Sequence, residues 1–306
     1  MSAYGAVAKL VTARQIRAMS LAARHDVEAI EFSHEADPEL VDIVAEPYES
    51  LSDARSRLEE LEGLLRRRND RRAVFLTIYT NMTRAVDEAL KRGIFSDPAW
   101  MRTYTRTFAN YYREAFLAFE GDRPAEVPDP WHLAFGTAVA GDALVAQDAF
   151  LGINAHINYD LALTIRDVGV DPHRDKKRLD HRAINDILGR LVDAQQEALS
   201  ELYAPGIDDV DAILGRFDES FSLFALTEAR AQAWRVGVVL AKSGSRLVNA
   251  YARWVLRTTA VGAAVFVLSP ALAPDLRRAL ERVEREQFAL EDVLDAFDRR
   301  FEAVGF

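Results

Sequence analysis

Cysteine is absent from the 306-residue sequence, and histidine occurs only six times. The chain therefore cannot form a disulfide, use a thiolate nucleophile or bind a metal through a thiolate, and any metal site must be built from histidine, carboxylate or amide side chains. Basic residues are in the minority, with 38 lysines and arginines against 48 aspartates and glutamates. The net charge of −10 argues against nucleic acid as a main partner.

Long apolar runs are missing as well. The N-terminus has no basic region followed by a long apolar stretch, so we expect no secretory leader and a cytoplasmic protein. The apolar stretch at 258–268 is shorter than the ~20 residues that span a bilayer, so we expect no transmembrane segment. Residues 1–25 carry basic side chains and no acidic one. This predicts either a helix docked on the acidic body, which we favour, or peripheral contact with an anionic membrane.

Strand-like alternation is lacking, whereas helical periodicity runs through almost the whole sequence. The stripe Phe75, Tyr79, Met82 and Val86, for example, gives one buried face to a helix. We predict an all-α fold, a single large multi-helix domain of about ten to twelve helices around a buried central helix. The proline-containing loop before residue 50 divides the chain into an N-terminal helical extension, 1–50, and a main domain, 51–306.

The predicted central helix carries a short polar sequence, Gly-Ile-Asn-Ala-His-Ile-Asn-Tyr-Asp-Leu, at residues 152–161. On a helix, His156 and Asp160 lie one turn apart on one face, and Asn154 and Asn158 lie one turn apart on roughly the opposite face. A helix that is apolar on most of its circumference is normally buried. These four side chains therefore need partners or a ligand in the interior, and we predict that this stretch forms the functional site.

A metal site is one interpretation of this stretch. His156 and Asp160 project from the same face and can reach one cation, and Asp180, on the apolar stripe of the helix at 175–203, would complete a set of three ligands. Such a set leaves positions open for an activated water. We therefore predict one divalent metal ion at His156, Asp160 and Asp180, with His156 and Asp160 catalytic. His132 and His181 are further candidate ligands.

The predicted function is a metal-assisted hydrolase that acts on a lipid-like or other apolar substrate. Standard signatures such as the P-loop, G-x-G-x-x-G, G-x-S-x-G and H-E-x-x-H are absent, so the substrate prediction depends on the apolar, tyrosine-rich surroundings. The predicted substrate-binding residues are Asn154, Asn158, Tyr79 and Tyr111. The alternative is a non-catalytic protein, either structural or binding a small molecule, in which the same residues form a satisfied polar network.

The decapeptide at 152–161 also carries a resemblance to a known family. The other residues that carry it are Tyr79, Thr83, Phe108, Tyr111, Trp131, Phe135, Asp180 and Asn185. Over roughly residues 70–255 the sequence resembles an uncharacterised family, domain-of-unknown-function family 5995. The resemblance implies membership and a shared site, to which it adds Asn185 as a substrate-binding residue. It implies no particular activity.

Overall fold

Helices form all the regular secondary structure in the residues that the computed structural model describes, which are 11–23, 35–203, 226–268 and 274–305. These helices share one continuous hydrophobic core, so the predicted all-α, single-domain fold is confirmed. The α-helices are α1 (Ala13–Ala22), α2 (Pro38–Val44), α3 (Leu51–Arg67), α4 (Ala73–Lys91), α5 (Pro98–Glu120), α6 (Asp129–Ala140), α7 (Val145–Asn154), α8 (Leu161–Val168), α9 (Arg174–Tyr203), α10 (Leu226–Lys242), α11 (Arg246–Leu268), α12 (Pro274–Gln287) and α13 (Leu290–Val304). A 3₁₀ turn, Pro124–Glu126, precedes α6, and a π-helical segment, Ala155–Asp160, joins α7 to α8.

Side-chain caps and glycine set several of the helix boundaries. The Ser50 hydroxyl accepts the Asp53 N–H at the start of α3, and the Asp97 carboxylate accepts the Trp100 N–H at the start of α5. Each cap satisfies an N–H group that has no partner within its helix. Gly141 ends α6 in the left-handed region, with a φ of 70°, which glycine adopts without a steric penalty.

The continuous run α7, π segment and α8 is the buried central helix. The π segment packs against α5, α6, α10 and α11. Two glycines let neighbouring helices pack closely on this central helix. A Cβ atom at Gly152 of α7 would overlap the ring of Phe75 on α4, and a Cβ atom at Gly237 of α10 would overlap Ile165 of α8. Small residues at these positions bring α4 and α10 against the central helix, so the site is enclosed by helices.

The described part of the N-terminal region packs on the main body. Helix α1 lies against α11, where Gly262 faces the backbone of Ala18 and the guanidinium of Arg17 lies 5.8 Å from the ring centre of Phe266. Residues 11–23 therefore dock on an apolar helix, and peripheral membrane contact stays a prediction. Leu40 of α2 is buried in the common core. The division of the chain at residue 50 also stays a prediction.

Every helix in the described ranges is too short or too polar to cross a membrane.

Candidate functional site

The polar decapeptide lies where the central helix changes its hydrogen-bonding pattern. Over Ala155–Asp160 the backbone forms a π helix, and the N–H of Leu161 bonds to the carbonyl of His156 instead of to that of Ile157. Short π-helical segments of this kind are rare and occur frequently at functional sites. The site prediction therefore coincides with an irregularity that helical periodicity alone does not indicate.

The predicted pair His156 and Asp160 is buried and hydrogen-bonded. Nδ1 of His156 lies 2.9 Å from Oδ2 of Asp160, and the indole N–H of Trp131 donates to the same oxygen at 2.8 Å. The other polar atom of each side chain, Nε2 of His156 and Oδ1 of Asp160, is buried and has no partner within the described residues. Because buried polar atoms are nearly always satisfied, these two need an explanation.

Burial shifts the pKa values of His156 and Asp160 in opposite directions. It raises the pKa of Asp160 well above 3.8, against the effect of the Trp131 hydrogen bond, and it lowers the pKa of His156 well below 6.5. Both shifts therefore favour the form of the pair that has no net charge, in which one proton is shared between Asp160 and Nδ1. Whether that proton is on the carboxyl or on Nδ1, Nε2 of His156 then carries hydrogen and can act as a donor.

Aromatic rings enclose the imidazole of His156. The ring of Phe108 stacks on it with centroids 3.5 Å apart, and the ring of Tyr79 meets it edge-on at 4.5 Å. The hydroxyls of Tyr79 and Tyr112 are buried and also have no hydrogen-bond partner in the described part of the chain. Burial raises the pKa of both phenols, which therefore stay neutral donors.

A cavity of about 70 Å³ lies beside this cluster. His156 and Tyr79 line it, and most of the remaining wall is apolar. The apolar contributors are Phe75, Ile78, Met82, Val86, Phe108, Ile153, Ile157, Ile184, Leu188, Leu191, Val192 and Leu226. The site thus combines a hydrophobic enclosure with a small number of hydrogen-bonding groups, as is usual for a small-molecule site.

One charged residue, Arg230 of α10, also lines the cavity. Its Nε donates to Oδ1 of Asn185 at 2.7 Å and its Nη2 to the backbone carbonyl of His181 at 2.5 Å. His181 in turn donates from Nε2 to the carbonyl of Arg230 at 3.1 Å, and its Nδ1 lies 2.9 Å from the Tyr104 hydroxyl. The predicted residue Asn185 therefore reaches the cavity indirectly, by holding Arg230.

Asp180 makes contacts that differ from the predicted metal coordination. Its two carboxylate oxygens accept the backbone N–H groups of Ser96 and Asp97, each at 2.7 Å, and so fix the turn before α5. Within the described ranges, no group of three or more histidine or acidic side chains is placed to hold a metal ion. The three predicted ligands are therefore not brought together, and His156 with Asp160 alone does not make a complete set. The predicted divalent ion stays a prediction.

The two asparagines of the decapeptide are hydrogen-bonded to each other, and one of them contacts another helix. Asn154 donates to the carbonyl of Ala260 in α11 at 2.9 Å, and Asn158 donates to the side-chain oxygen of Asn154 at 2.9 Å. The Asn154 bond ties α11 to the central helix, and the Asn158 bond orients the Asn154 amide. Tyr111 lies elsewhere, where its hydroxyl donates to Asp167 at 2.5 Å. These three predicted substrate-binding residues are not among those that line the cavity.

Sequence reasoning missed three residues of the site, one of which is Tyr112, the neighbour of the predicted Tyr111. Trp131, which holds Asp160, was considered only as part of the family resemblance. Arg230 was not considered, although its position gives a signal: it lies on the buried stripe of α10 with Ala233, Trp234 and Gly237. A lone arginine on an apolar stripe is unusual, since arginine is almost never fully buried unless it is paired.

Comparison with known proteins gives a family and no characterised relative. No curated protein and no solved structure matches the chain. The model of one family of unknown function matches residues 51–270, which is more than half of the chain. The chain therefore belongs to the family of unknown function DUF5995, as the resemblance of its decapeptide predicted.

Proposed function

We propose that this protein binds a small, largely apolar molecule in the cavity beside His156, with the imidazole as a polar contact for the ligand. The observation that carries the proposal is the buried Nε2 of His156, which has no partner among the described residues and belongs to a side chain that lines a mostly apolar cavity. A bound hydroxyl, carbonyl or carboxyl group would satisfy this atom. The apolar wall would take up the rest of the ligand.

The number of unsatisfied atoms favours a binding site over a purely structural network. His156, Asp160, Tyr79 and Tyr112 each retain one buried polar atom without a partner among the described residues. Each such atom costs about 1–3 kcal/mol. A structural network would be expected to satisfy its own members, whereas a binding site leaves donors and acceptors for its ligand.

The cavity volume limits the ligand. At about 70 Å³ the cavity is smaller than the roughly 150 Å³ cavity that holds benzene in another protein. A molecule of a few heavy atoms fits more readily than a long lipid chain. A five-carbon alcohol or acid requires movement of the half-buried lining residues, of which the flexible Met82 is the most adaptable.

Ligand-observed NMR with 1-pentanol tests the proposal. Wild-type protein should bind the alcohol, and His156→Phe should bind it about 10-fold more weakly, because the variant keeps an aromatic ring and loses one hydrogen bond of roughly 1.4 kcal/mol. His132→Phe is the matched control and should bind like wild type, since His132 does not line the cavity. Absence of binding to the wild type, or equal weakening by both variants, would contradict the proposal.

A second candidate is hydrolysis with His156 as a general base. The observation that favours it is the hydrogen bond between Nδ1 and Asp160, which orients the ring, together with the absence of a described partner for Nε2. Nε2 can act as the base only after the pair has lost a proton, with Asp160 ionised and hydrogen on Nδ1, so the activity should rise with pH. Short-chain p-nitrophenyl esters are suitable substrates, assayed with and without a chelator. Hydrolysis that His156→Gln abolishes and the chelator leaves unchanged would support this metal-independent chemistry. Hydrolysis unchanged in the variant would exclude His156 as the base.

A further inference from the structure

Arg230 is a charged residue that lines the cavity and is nevertheless buried. Arg230 is only 2% exposed, yet its positive charge has no carboxylate partner within ion-pair distance in the ranges that the structure describes. The acceptors that hold it, the side-chain amide of Asn185 and the backbone carbonyl of His181, are both neutral. Burial lowers the pKa of Arg230, but an arginine remains protonated in a protein.

An isolated buried charge is costly, and neutral acceptors offset only part of the cost. The other buried arginines of this chain show the usual solution. Arg72 is also 2% exposed in its side chain, and it pairs with Glu120 at 2.6 Å and with Asp70 at 2.6 Å. Arg230 differs from Arg72 in having no acidic partner among the described residues and in lining a cavity. An occupant of that cavity would be placed to supply the counter-charge that the described residues do not.

The donors of Arg230 fit such an occupant. Nε and Nη2 donate to Asn185 and His181, and the neutral hydroxyl of Tyr104 also interacts with the guanidinium. A ligand in the cavity would be a further acceptor for its N–H groups. Guanidinium groups bind carboxylates through short, charge-assisted hydrogen bonds of defined direction. Arg230 is also the one cationic side chain among the described lining residues, so a single negative charge balances the site.

We propose that the ligand is a small organic acid, a carboxylate with a short apolar body, whose carboxylate pairs with Arg230 inside the cavity. This inference rests on the proposed function, because it names the class of molecule that the cavity binds. The apolar wall formed by residues such as Ile184 and Leu191 would contact the hydrocarbon part. The volume of about 70 Å³ favours a short chain.

Matched ligands separate the two proposals. Pentanoate and 1-pentanol have nearly the same apolar body and differ in charge, and both can be titrated against the full chain at a pH near 7.5 by ligand-observed NMR. Wild-type protein should bind pentanoate at least ~10-fold more tightly than 1-pentanol. Arg230→Met should remove this preference. Arg235→Met, a half-buried arginine on the same helix that does not line the cavity, should leave the preference unchanged.

Each outcome decides one of the proposals. Equal binding of the acid and the alcohol by the wild type overturns the carboxylate inference and leaves the proposed binding function standing, whereas absence of binding by both removes the two together. Tighter binding of butyl phosphate than of pentanoate also overturns the inference, because the site would then prefer a phosphate. The wild-type comparisons need no variant, so they decide the matter even if Arg230→Met does not fold.

Discussion

Replacement of Asp160 by asparagine tests the electrostatics of the site. Both hydrogen bonds of Asp160, from the indole N–H of Trp131 at 2.8 Å and with Nδ1 of His156 at 2.9 Å, are made at the same oxygen, Oδ2. Asp160→Asn keeps the size of the side chain and removes its titration, but the oxygen and nitrogen of the amide are separate atoms, so one of the two bonds is lost. That loss does not depend on pH, so the pH dependence of the variant's stability relative to the wild type reports which form of Asp160 the folded protein holds.

The sign of the expected effect follows from the raised pKa. In the unfolded chain Asp160 loses its proton near pH 3.8, whereas burial keeps it protonated to a higher pH in the folded protein. The stability that Asp160 contributes is therefore complete below about pH 4 and is lost as the pH rises through the folded pKa. The free energy of unfolding of the wild type minus that of Asp160→Asn should fall by up to about 1.4 kcal/mol per pH unit above pH 4.

Urea unfolding followed by circular dichroism between about pH 4 and pH 8 measures this difference. Asp167→Asn is the control with the opposite sign: against the effect of partial burial, hydrogen bonds from Arg166 and Tyr111 lower the pKa of Asp167, so its contribution is present above pH 3.8 and is lost in acid. If Asp160→Asn instead becomes progressively less stable than the wild type as the pH rises, Asp160 is ionised in the folded protein and the reasoning is refuted.

Two further substitutions test the central helix: Asp148→Asn tests a raised pKa, and Gly152→Ala tests the packing. Burial raises the pKa of Asp148 to about 7, against the effect of Arg71, so the stability due to Asp148 should be lost as the pH rises from about 4 through 7. Asp148→Asn should remove up to ~4 kcal/mol of this pH dependence in urea unfolding, and an unchanged dependence would contradict the assignment. Gly152→Ala should cost about 1–3 kcal/mol, because the added methyl overlaps Phe75, whereas Gly189→Ala, which meets nothing within 4 Å, should stabilise the protein by roughly 0.5–1 kcal/mol. Calorimetric melting of both variants checks this contrast, and equal effects would contradict it.

The helical class and the position of the site were predictable because both depend on local spacing. Apolar residues three and four apart defined the stripe on α4, and the four-residue spacing of His156 and Asp160 placed the two side chains in contact. The π-helical backbone between them was not predictable. It changes which carbonyl each N–H group contacts, and the apolar pattern that reveals a helix does not encode that choice.

Tertiary partners were the other unpredictable part. Asp180 was correctly recognised as a polar residue on an apolar stripe, but its carboxylate binds backbone N–H groups of Ser96 and Asp97, more than 80 residues earlier in the chain. Asn154 likewise bonds to a backbone carbonyl, that of Ala260. Backbone groups are the same at every position, so the sequence does not indicate which of them a buried side chain will meet.

Asp180 and Arg230 are both buried polar residues, but they differ in how far the described protein satisfies them. Both lie on the apolar stripes of their helices, and both are buried. The hydrogen bonds of Asp180 account for both of its oxygens, whereas those of Arg230 leave its charge without a described counter-charge. His156 and Tyr79 share this incompleteness, since each keeps a buried polar atom without a described partner. Arg230, His156 and Tyr79 line the same cavity, whereas Asp180 does not. Asp160 and Tyr112, which also keep an unpartnered atom, lie behind this lining. A buried polar group requires a partner, and at the cavity wall, where the described residues supply none, the proposed ligand would supply it.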